Sequence, residues 1–489
     1  MSDPLDPAQL FCTVYDEFTA DVSATAVKRI LARNQDRVKQ WYDDVIHLEH
    51  VPTELAQFAR GSEEAAFTLL AALDRVLGEC HPMQWSDVKA LSALKTRYIE
   101  SGIFNEREKG GDDQGALLPR WVSPEQKESV ADQFNYVIRV SEEDWKAVDY
   151  KHVHSGLENL PPGRFDPAAV LVDGLTRSRA IPVACAPFAE DPNEIVIDAV
   201  GDVEYALHPG PAAFPVDRMR KTLTNVLRSN AVIGLLPEAC LDGKILDTWK
   251  VLLRESRGVK SPLLWLVVGS GPIDDSEPPR NEAVMLTREG EELLVQDKRH
   301  GYRIDIDTMR KWAMPTSVVQ STGSQDGKRF RDEHIYLGSK LSILETTVGR
   351  FAILICEDLG RLIDDGTLLQ RWGISRVLTP VFDAELTKDR WEMYATLSLR
   401  QRIGSYVAVS NSLVVPKMRM RARKRDIKCA KGNRVNECAK LACKCMGRVN
   451  TCASYDVNNK ISMKAARAAE DAPVIMLGPR AGAGRRRYT

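Results

Sequence analysis

Three strand-like apolar runs in the sequence each end close to a side chain that can take part in acyl transfer. Glu238 follows the run GLLP, Lys298 follows ELLVQD, and Cys356 follows AILI. In α/β proteins the ends of neighbouring strands converge on the crevice where ligands bind, so we expect these three side chains to lie close together. A carboxylate, an ammonium and a thiol are together sufficient for thiol-dependent acyl transfer.

Each of the three side chains would have its own task in such a reaction. The thiolate is the nucleophile and, because a free thiol has a pKa of about 8.5, it needs a nearby base at neutral pH, which Glu238 can supply. Lys298 can balance negative charge on the substrate oxygen, together with backbone N–H groups beside the nucleophile. Taken singly, each residue also fits a structural role: Cys356 as a small core residue, Glu238 in a solvated turn and Lys298 as surface charge.

The order and surroundings of these residues resemble the carbon-nitrogen hydrolase, or nitrilase, superfamily. The resemblance covers about residues 180–416, through IPVACAPF, LLPEA, WLVVGSG, NEAVML, DKRH, TTVGRFAILICEDLGR, VLTPVF and RWEMYATLSLRQRIGSYVAVSNS. It implies an α-β-β-α sandwich of nitrilase type and hydrolysis of a non-peptide carbon-nitrogen bond. An amide is favoured over a nitrile because amide hydrolysis is the commoner chemistry in the superfamily. Since nitrilase-like domains pair through a shared surface, a homodimer or larger assembly is also implied.

The resemblance assigns roles to individual residues. It implies that Cys356 attacks the amide or nitrile carbon, that an acyl-enzyme forms, and that water activated through Glu238 hydrolyses it. Lys298 is expected to stabilise the tetrahedral intermediate. Many members have a second glutamate between the lysine and the cysteine, which contacts the lysine and helps to position substrate. Glu333 is the favoured candidate for this residue, and Glu345 is the alternative.

The segment around the nucleophile agrees only in part with the family pattern. The backbone N–H of Glu357 is expected in the oxyanion hole, which makes Glu357 a second substrate-positioning residue beside Glu333. Many members continue with Pro-Glu after the cysteine, whereas this chain continues LGRLID, and residues 309–328 resemble an inserted loop. ICEDL is similar to the glutaminase domain of glutamine-dependent NAD synthetase, but the chain has no SGGxDS-type synthetase loop. No cofactor and no metal site are predicted.

The 489 residues are enough for two to four domains. Apolar residues at three- and four-residue spacing predict helices from residue 21 to 148, including one that begins at Ser123 and continues through Ile138. Beyond residue 179, short runs rich in Val, Ile and Leu alternate with helical stretches, which predicts an α/β domain. We predict three regions: an all-helical domain at 1–175, a nitrilase-like domain at 176–416, and a basic Cys-containing segment at 417–489.

The C-terminal segment differs from the rest of the chain in charge. Between Lys417 and Thr451 there are 12 basic and 2 acidic residues, a local charge of +10, so 55 basic and 66 acidic residues, or −11, remain elsewhere. Its cysteines are Cys429, Cys438, Cys443, Cys445 and Cys452. Their spacing matches no familiar zinc site, and no Phe or Trp is interleaved to stack on nucleic-acid bases. A solvated charged insert is favoured over metal or phosphate binding, and residues 473–477 are expected to return as a strand of the sheet.

Composition excludes several classes of protein. Hydrophobic residues make up 44% and charged residues 28% of the chain, which is ordinary globular usage. The longest apolar run, Leu263 to Val268, is far shorter than the roughly 18 residues that indicate a membrane span. The first residues do not resemble an export signal, and ten cysteines are too few for a disulfide framework. We expect a soluble protein of the cytoplasm with reduced thiols.

Two functions of different classes are left open by the sequence. The first is a cysteine amidohydrolase, which the joint presence of Glu238, Lys298 and Cys356 favours. The second is a nitrilase-fold sensor or scaffold whose helical domain and basic segment bind a macromolecular partner. The expected partners are a small amide or nitrile substrate, a second copy of the chain, and a protein bound by the helical domain, with nucleic acid disfavoured.

Overall fold

The computed structural model describes most of the chain. The described residues are 5–48, 50–82, 92–105, 115–124, 127–153, 181–211, 213–229, 231–320, 323–325, 328–384, 386, 391–421, 449–455, 461–466 and 475–477. The predicted boundary at residue 175, the basic segment from 422 to 448 and four of its five cysteines lie outside the described residues.

Among the described residues up to Ser101, six helices pack around one apolar core. They are α1 (Pro7–Phe18), α2 (Ala24–Arg33), α3 (Gln35–Leu48), α4 (Thr53–Ala59), α5 (Glu63–Gly78) and α6 (Ser92–Ser101). The side chains of Asp6, Ser23 and Ser62 accept hydrogen bonds from first-turn N–H groups, which have no partner within a helix. α5 contacts each of the four preceding helices and is the centre of this layer.

Residues 116–153 include three strands, so the prediction of an all-helical region to residue 175 is wrong. β1 (Ala116–Pro119) pairs antiparallel with β2 (Val137–Val140). The short helix α7 (Glu142–Lys146) leads to β3 (Val148–Val153), which is followed along the chain by the α/β region. The helix expected through Ile138 is replaced by a 3₁₀ turn and β2. The physical reason is that Val137 packs into the helical core whereas Ile138 packs against the sheets, and only an extended chain sends neighbouring side chains to opposite faces.

A six-stranded mixed sheet has the order β10-β9-β8-β7-β4-β20. Its strands are β4 (Val183–Cys185), β7 (Ile233–Leu235), β8 (Trp265–Pro272), β9 (Asn281–Thr287), β10 (Glu292–Asp297) and β20 (Ile475–Leu477). β4, β7 and β8 run parallel, and the outer strands pair antiparallel. β20 lies in the apolar run from which a returning strand was expected.

A seven-stranded sheet has the order β19-β18-β17-β16-β15-β14-β3. After β3 its strands are β14 (Leu341–Thr346), β15 (Gly349–Ile353), β16 (Arg376–Val381), β17 (Tyr406–Asn411), β18 (Val449–Tyr455) and β19 (Ile461–Ala466). β3 pairs parallel with β14 along its whole length. The predicted first and last regions of the chain therefore both contribute strands to the α/β sheets.

A smaller sheet contains Glu333, the candidate for the second glutamate. Its order is β11-β13-β6-β5, with β12 beside β13. The strands are β5 (Ile195–Val200), β6 (Glu204–Pro209), β11 (Arg303–Asp305), β12 (Gly323–Gln325) and β13 (Lys328–Glu333). The stretch 309–328, expected as an inserted loop, contains most of α10 (Ile306–Trp312), all of α11 (Thr316–Gln320) and β12. β13 ends at Glu333.

The two large sheets share one apolar core. Leu235 of the six-stranded sheet and Leu378 of the seven-stranded sheet belong to the same buried cluster. The opposite face of β8 joins a second cluster with α8 (Val216–Arg228) and α9 (Gly243–Glu255), while α13 (Leu362–Arg371) and α14 (Trp391–Ile403) add side chains to the first. The mixed α/β class is confirmed. In the described part of the chain, no helix is both long and apolar enough to cross a membrane.

Candidate active site

The three strand-end residues predicted from the sequence meet in one buried cluster. Glu238 follows β7, Lys298 directly follows β10, and Cys356 follows β15. β7 and β10 belong to the six-stranded sheet and β15 to the seven-stranded sheet, so the cluster joins the two. The exposed fraction is 1% for Glu238, 1% for Lys298 and 7% for Cys356. Glu238 and Cys356 lie close enough to interact, because the charge of the Glu238 carboxylate raises the pKa of the Cys356 thiol.

Lys298 lies between two carboxylates. Its Nζ donates to Glu238 Oε1 at 2.8 Å and to Glu333 Oε2 at 2.6 Å. The structure thus brings Glu333, the favoured second glutamate, to the lysine. An ammonium has three N–H donors, so two bonds to carboxylates leave one for a further acceptor.

Three other donors fix the two carboxylates. Asn281 Nδ2 lies 3.0 Å from Glu238 Oε1 and 3.4 Å from Glu333 Oε1. The backbone N–H of Phe382 donates to Glu238 Oε2 at 3.0 Å, and that of Tyr302 donates to Glu333 Oε2 at 3.0 Å. Sequence reasoning did not identify these donors. Two of them are backbone groups that no side-chain motif reveals, whereas Asn281 could have been found from the β9–β10 hairpin, which places it opposite Lys298.

Glu345, the alternative second glutamate, lies in a different part of the molecule. It accepts hydrogen bonds from Tyr98 Oη at 3.0 Å and from Trp121 Nε1 at 2.6 Å, and it pairs with Arg350. These partners belong to the N-terminal region and to β15, not to the cluster around Lys298.

The backbone presents Cys356 in an unusual conformation. Its φ of +47° and ψ of −102° lie outside the regions that L-residues commonly occupy, and its N–H donates to the carbonyl of Pro380 at 2.9 Å. Strained backbone of this kind clusters at functional sites. The short helix α12 (Glu357–Gly360) begins at the next residue, so the N–H of Glu357 has no partner within that helix. The Glu357 carboxylate pairs with Arg361 at 2.8 Å, and the oxyanion-hole role of its backbone N–H stays a prediction.

Asp358 links the backbone that follows Lys298 to the turn that contains Cys356. Its buried carboxylate accepts from the backbone N–H groups of Arg299 at 3.0 Å and His300 at 2.8 Å on one side, and of Ile355 at 3.1 Å on the other. Sequence reasoning missed this residue, because an acidic side chain near a helix start is also a common capping residue.

Burial and charge set the protonation states of the cluster. Burial raises the pKa of the Glu238 carboxyl, although the charge of Lys298 opposes this shift. Burial and the charge of Glu238 raise the pKa of the Cys356 thiol well above its usual range, against the opposing charge of Lys298. Burial alone would lower the pKa of Lys298, but Glu238 and Glu333 raise it well above the usual value. Burial and the neighbouring charges thus favour an ammonium at Lys298 and a protonated thiol at Cys356, with the carboxyl group of Glu238 beside them.

The arrangement combines a thiol, two carboxyl groups and an ammonium held between them. Such a set can carry out thiol-dependent acyl transfer, in which charge that develops on a substrate oxygen meets a preorganised donor. Across the described residues, no group of three or more His, Cys, Asp or Glu side chains is placed to hold a metal ion.

Comparison with known proteins finds similarity only among solved structures. No family model and no curated protein matches the chain. A glutamine-dependent NAD+ synthetase from Acinetobacter baumannii is 12% identical with a TM-score of 0.35, over 60% of this chain and 45% of the synthetase, so the chain spans less than half of that protein.

Two further structures are similar over more of their own length. An amidase from Nesterenkonia sp. is 14% identical with a TM-score of 0.30, over 48% of this chain and 77% of the amidase. A Saccharomyces cerevisiae member of branch 10 of the nitrilase superfamily is 13% identical with a TM-score of 0.36, over 64% of this chain and 98% of that protein. Solved structures with a distant similarity to this chain thus include members of the nitrilase superfamily.

Proposed function

We propose that the protein is a cysteine-dependent hydrolase of a non-peptide carbon-nitrogen bond, with an amide as the favoured substrate and the α-β-β-α sandwich of the nitrilase type. The observation that supports this most directly is the buried Lys298 between Glu238 and Glu333, with the buried Cys356 thiol within the electrostatic reach of Glu238 and Lys298. A buried charged cluster contributes little to stability compared with apolar packing, so its presence favours a chemical role.

In the proposed reaction, Glu238 takes the proton from Cys356 as Sγ attacks the amide carbon. The carbonyl oxygen becomes negative, and Lys298 with the N–H of Glu357 stabilises it. The carbon-nitrogen bond then breaks, and the proton held by Glu238 passes to the departing ammonia or amine. Water, deprotonated by Glu238, attacks the acyl-enzyme and releases the carboxylic acid and the thiol. Amide and water are consumed, and acid and amine are formed.

Glu333 has a supporting role in this scheme. Its carboxylate accepts from Lys298 Nζ and from the N–H of Tyr302, so the ammonium is held between two anchors instead of one. A cation fixed in this way does not have to reorganise when charge develops on the substrate. Glu333 therefore positions Lys298 and, through it, the substrate oxygen.

The experiment that tests this proposal is ammonia release from a mixed panel of primary amides and nitriles. The wild type is compared with Cys356→Ala and with Cys12→Ala, which removes another buried free thiol from the helical core. We expect release by the wild type and by Cys12→Ala, and none by Cys356→Ala. No release by any protein, with no acyl adduct in the intact mass, would contradict the proposal and favour the sensor or scaffold alternative. The homodimer, the protein partner and the cytoplasmic location stay predictions.

A further inference from the structure

Asn281 joins the two carboxylates that flank the lysine. It is the first residue of β9, and its carbonyl accepts the N–H of Lys298 at 2.8 Å, so the hairpin fixes the two residues side by side. Its Nδ2 lies 3.0 Å from Glu238 and 3.4 Å from Glu333, so each N–H bond of one amide group points to a different carboxylate. Lys298 and Asn281 therefore bridge the same two glutamates.

The orientation of the amide is set by the glutamates and leaves its own acceptor unsatisfied. The opposite orientation would place the amide oxygen against two carboxylate oxygens, which repel it. In the observed orientation, Asn281 Oδ1 is buried and has no hydrogen-bond partner among the described residues. An unsatisfied buried acceptor is costly, so a purely structural side chain would be expected to satisfy it. The side chain instead directs both donors at the cluster.

We infer that Asn281 is a positioning residue. It holds the carboxylates of Glu238 and Glu333 at the distance that Lys298 bridges, and it keeps Glu238 available as the base for Cys356. This inference rests on the proposed function. The chemical reason is that a hydrogen bond donated to a carboxylate favours its ionised form, and only the ionised form can take the thiol proton. Besides the Asn281 amide, Glu238 accepts hydrogen bonds from the Lys298 ammonium and from the backbone N–H of Phe382.

The test compares the wild type with Asn281→Leu, which has a similar size and no donor. Asn105→Leu is the matched control, because Asn105 is also buried and makes two hydrogen bonds, but in the N-terminal region. The rate at which iodoacetamide alkylates Cys356 is measured by mass spectrometry as a function of pH. The acid limb of this profile reports the ionisation of Glu238, because the thiol is unreactive until that carboxylate can accept its proton.

We expect the acid limb of Asn281→Leu to lie about one pH unit higher than that of the wild type, and that of Asn105→Leu to be unchanged. In the ammonia assay, kcat of Asn281→Leu should fall about 10- to 100-fold with little change in KM. Thermal unfolding checks that each variant is folded. If Asn281→Leu does not fold, Asn281→Ser replaces it with the same expected direction.

An acid limb at the wild-type position in a folded Asn281 variant would overturn the inference, as would an equal shift in Asn105→Leu. The alkylation profile requires no substrate, so this result is distinct from failure of the proposed function. That failure would show as no ammonia release by the wild type, whatever the effect of Asn281 on the thiol.

Discussion

At the scale of single residues, the burial of Cys356 makes its thiol a poor nucleophile until a base acts on it. Burial raises the pKa of its thiol, so the thiolate does not form spontaneously at neutral pH. Burial also raises the pKa of the Glu238 carboxyl, which is the base proposed to act on this thiol. The base must be ionised to act. We therefore expect activity at pH values above the ordinary pKa range of a glutamate, and a loss of activity as the pH falls through the raised pKa of Glu238.

Replacement of Glu333 tests this pH dependence. The charge of Glu333 raises the pKa of Glu238, so Glu333→Gln should lower that pKa and move the acid limb of kcat/KM to lower pH. The same variant should lower kcat, because Lys298 loses one anchor. The measurement is kcat/KM from pH 4 to 9, with Glu255→Gln as the control, since Glu255 pairs with Arg220 on the surface. An acid limb that moves upwards in Glu333→Gln would contradict this electrostatic account.

Replacement of Lys298 should have the largest effect among the charged residues. Lys298→Met leaves Glu238 and Glu333 facing each other without a cation, so one of them must become protonated. We expect activity to fall at least about a thousandfold. Because the folded variant then binds protons that the unfolded chain does not hold at neutral pH, its melting temperature should rise relative to the wild type from pH 8 to pH 5. Lys340→Met, which breaks a surface pair with Asp149, should change neither property. If the melting temperatures of Lys298→Met and the wild type depend on pH in the same way, the expected protonation of Glu238 or Glu333 in the variant would be contradicted.

At the scale of elements, Gly269 supports the turn that carries Glu238. It lies at the irregularity of β8 with φ of +88°, and a Cβ there would lie 2.3 Å from the carbonyl oxygen of Pro237 and 2.5 Å from Cys240 Sγ. Gly269→Ala should therefore displace this turn, destabilise the fold by about 1–3 kcal/mol and lower kcat. Gly258→Ala is the control, because its Cβ would meet nothing within 4 Å. Chemical denaturation and the ammonia assay measure the two effects, and equal behaviour of both variants would refute the argument.

The sequence alone predicts the site residues that follow an apolar strand. It does not predict the site residues that reach the cluster through the pairing of other segments. Glu238, Lys298 and Cys356 each follow an apolar run, so local pattern was enough to predict that they meet. Asn281 and Asp358 belong to the cluster through hairpin register and backbone donors, which a single sequence does not display. The strand at 137–140 was missed for a related reason, because its two neighbouring apolar residues serve two different cores and their spacing also suits a helix.

At the scale of the whole molecule, the N-terminal region completes the sheet that carries Cys356. β3 pairs with β14, and Tyr98 and Trp121 donate to Glu345 of β14. Arg350 of β15 donates to the carbonyl of Pro119 at 3.0 Å. A fragment that begins at residue 181 would lack these partners and expose the edge of β14. We expect it to be insoluble or without fixed tertiary structure by near-UV circular dichroism, and a folded, active fragment would show that the region is dispensable.

The buried Glu345–Arg350 pair allows this coupling to be measured in the full-length chain. Both side chains are fully buried, so Glu345→Ala leaves an uncompensated guanidinium and should cost about 3–5 kcal/mol of the free energy of unfolding. Tyr98→Phe removes one hydrogen bond to the same carboxylate and should cost about 1.5–3 kcal/mol. Glu142→Ala, which breaks a surface pair with Lys146, should cost about 0.5 kcal/mol or less. Urea denaturation gives the three values. If the N-terminal region stabilises β14 and β15, the loss of stability is largest for Glu345→Ala, smaller for Tyr98→Phe and smallest for Glu142→Ala. A Tyr98→Phe value as small as that of Glu142→Ala would show that the two regions are not coupled at this point.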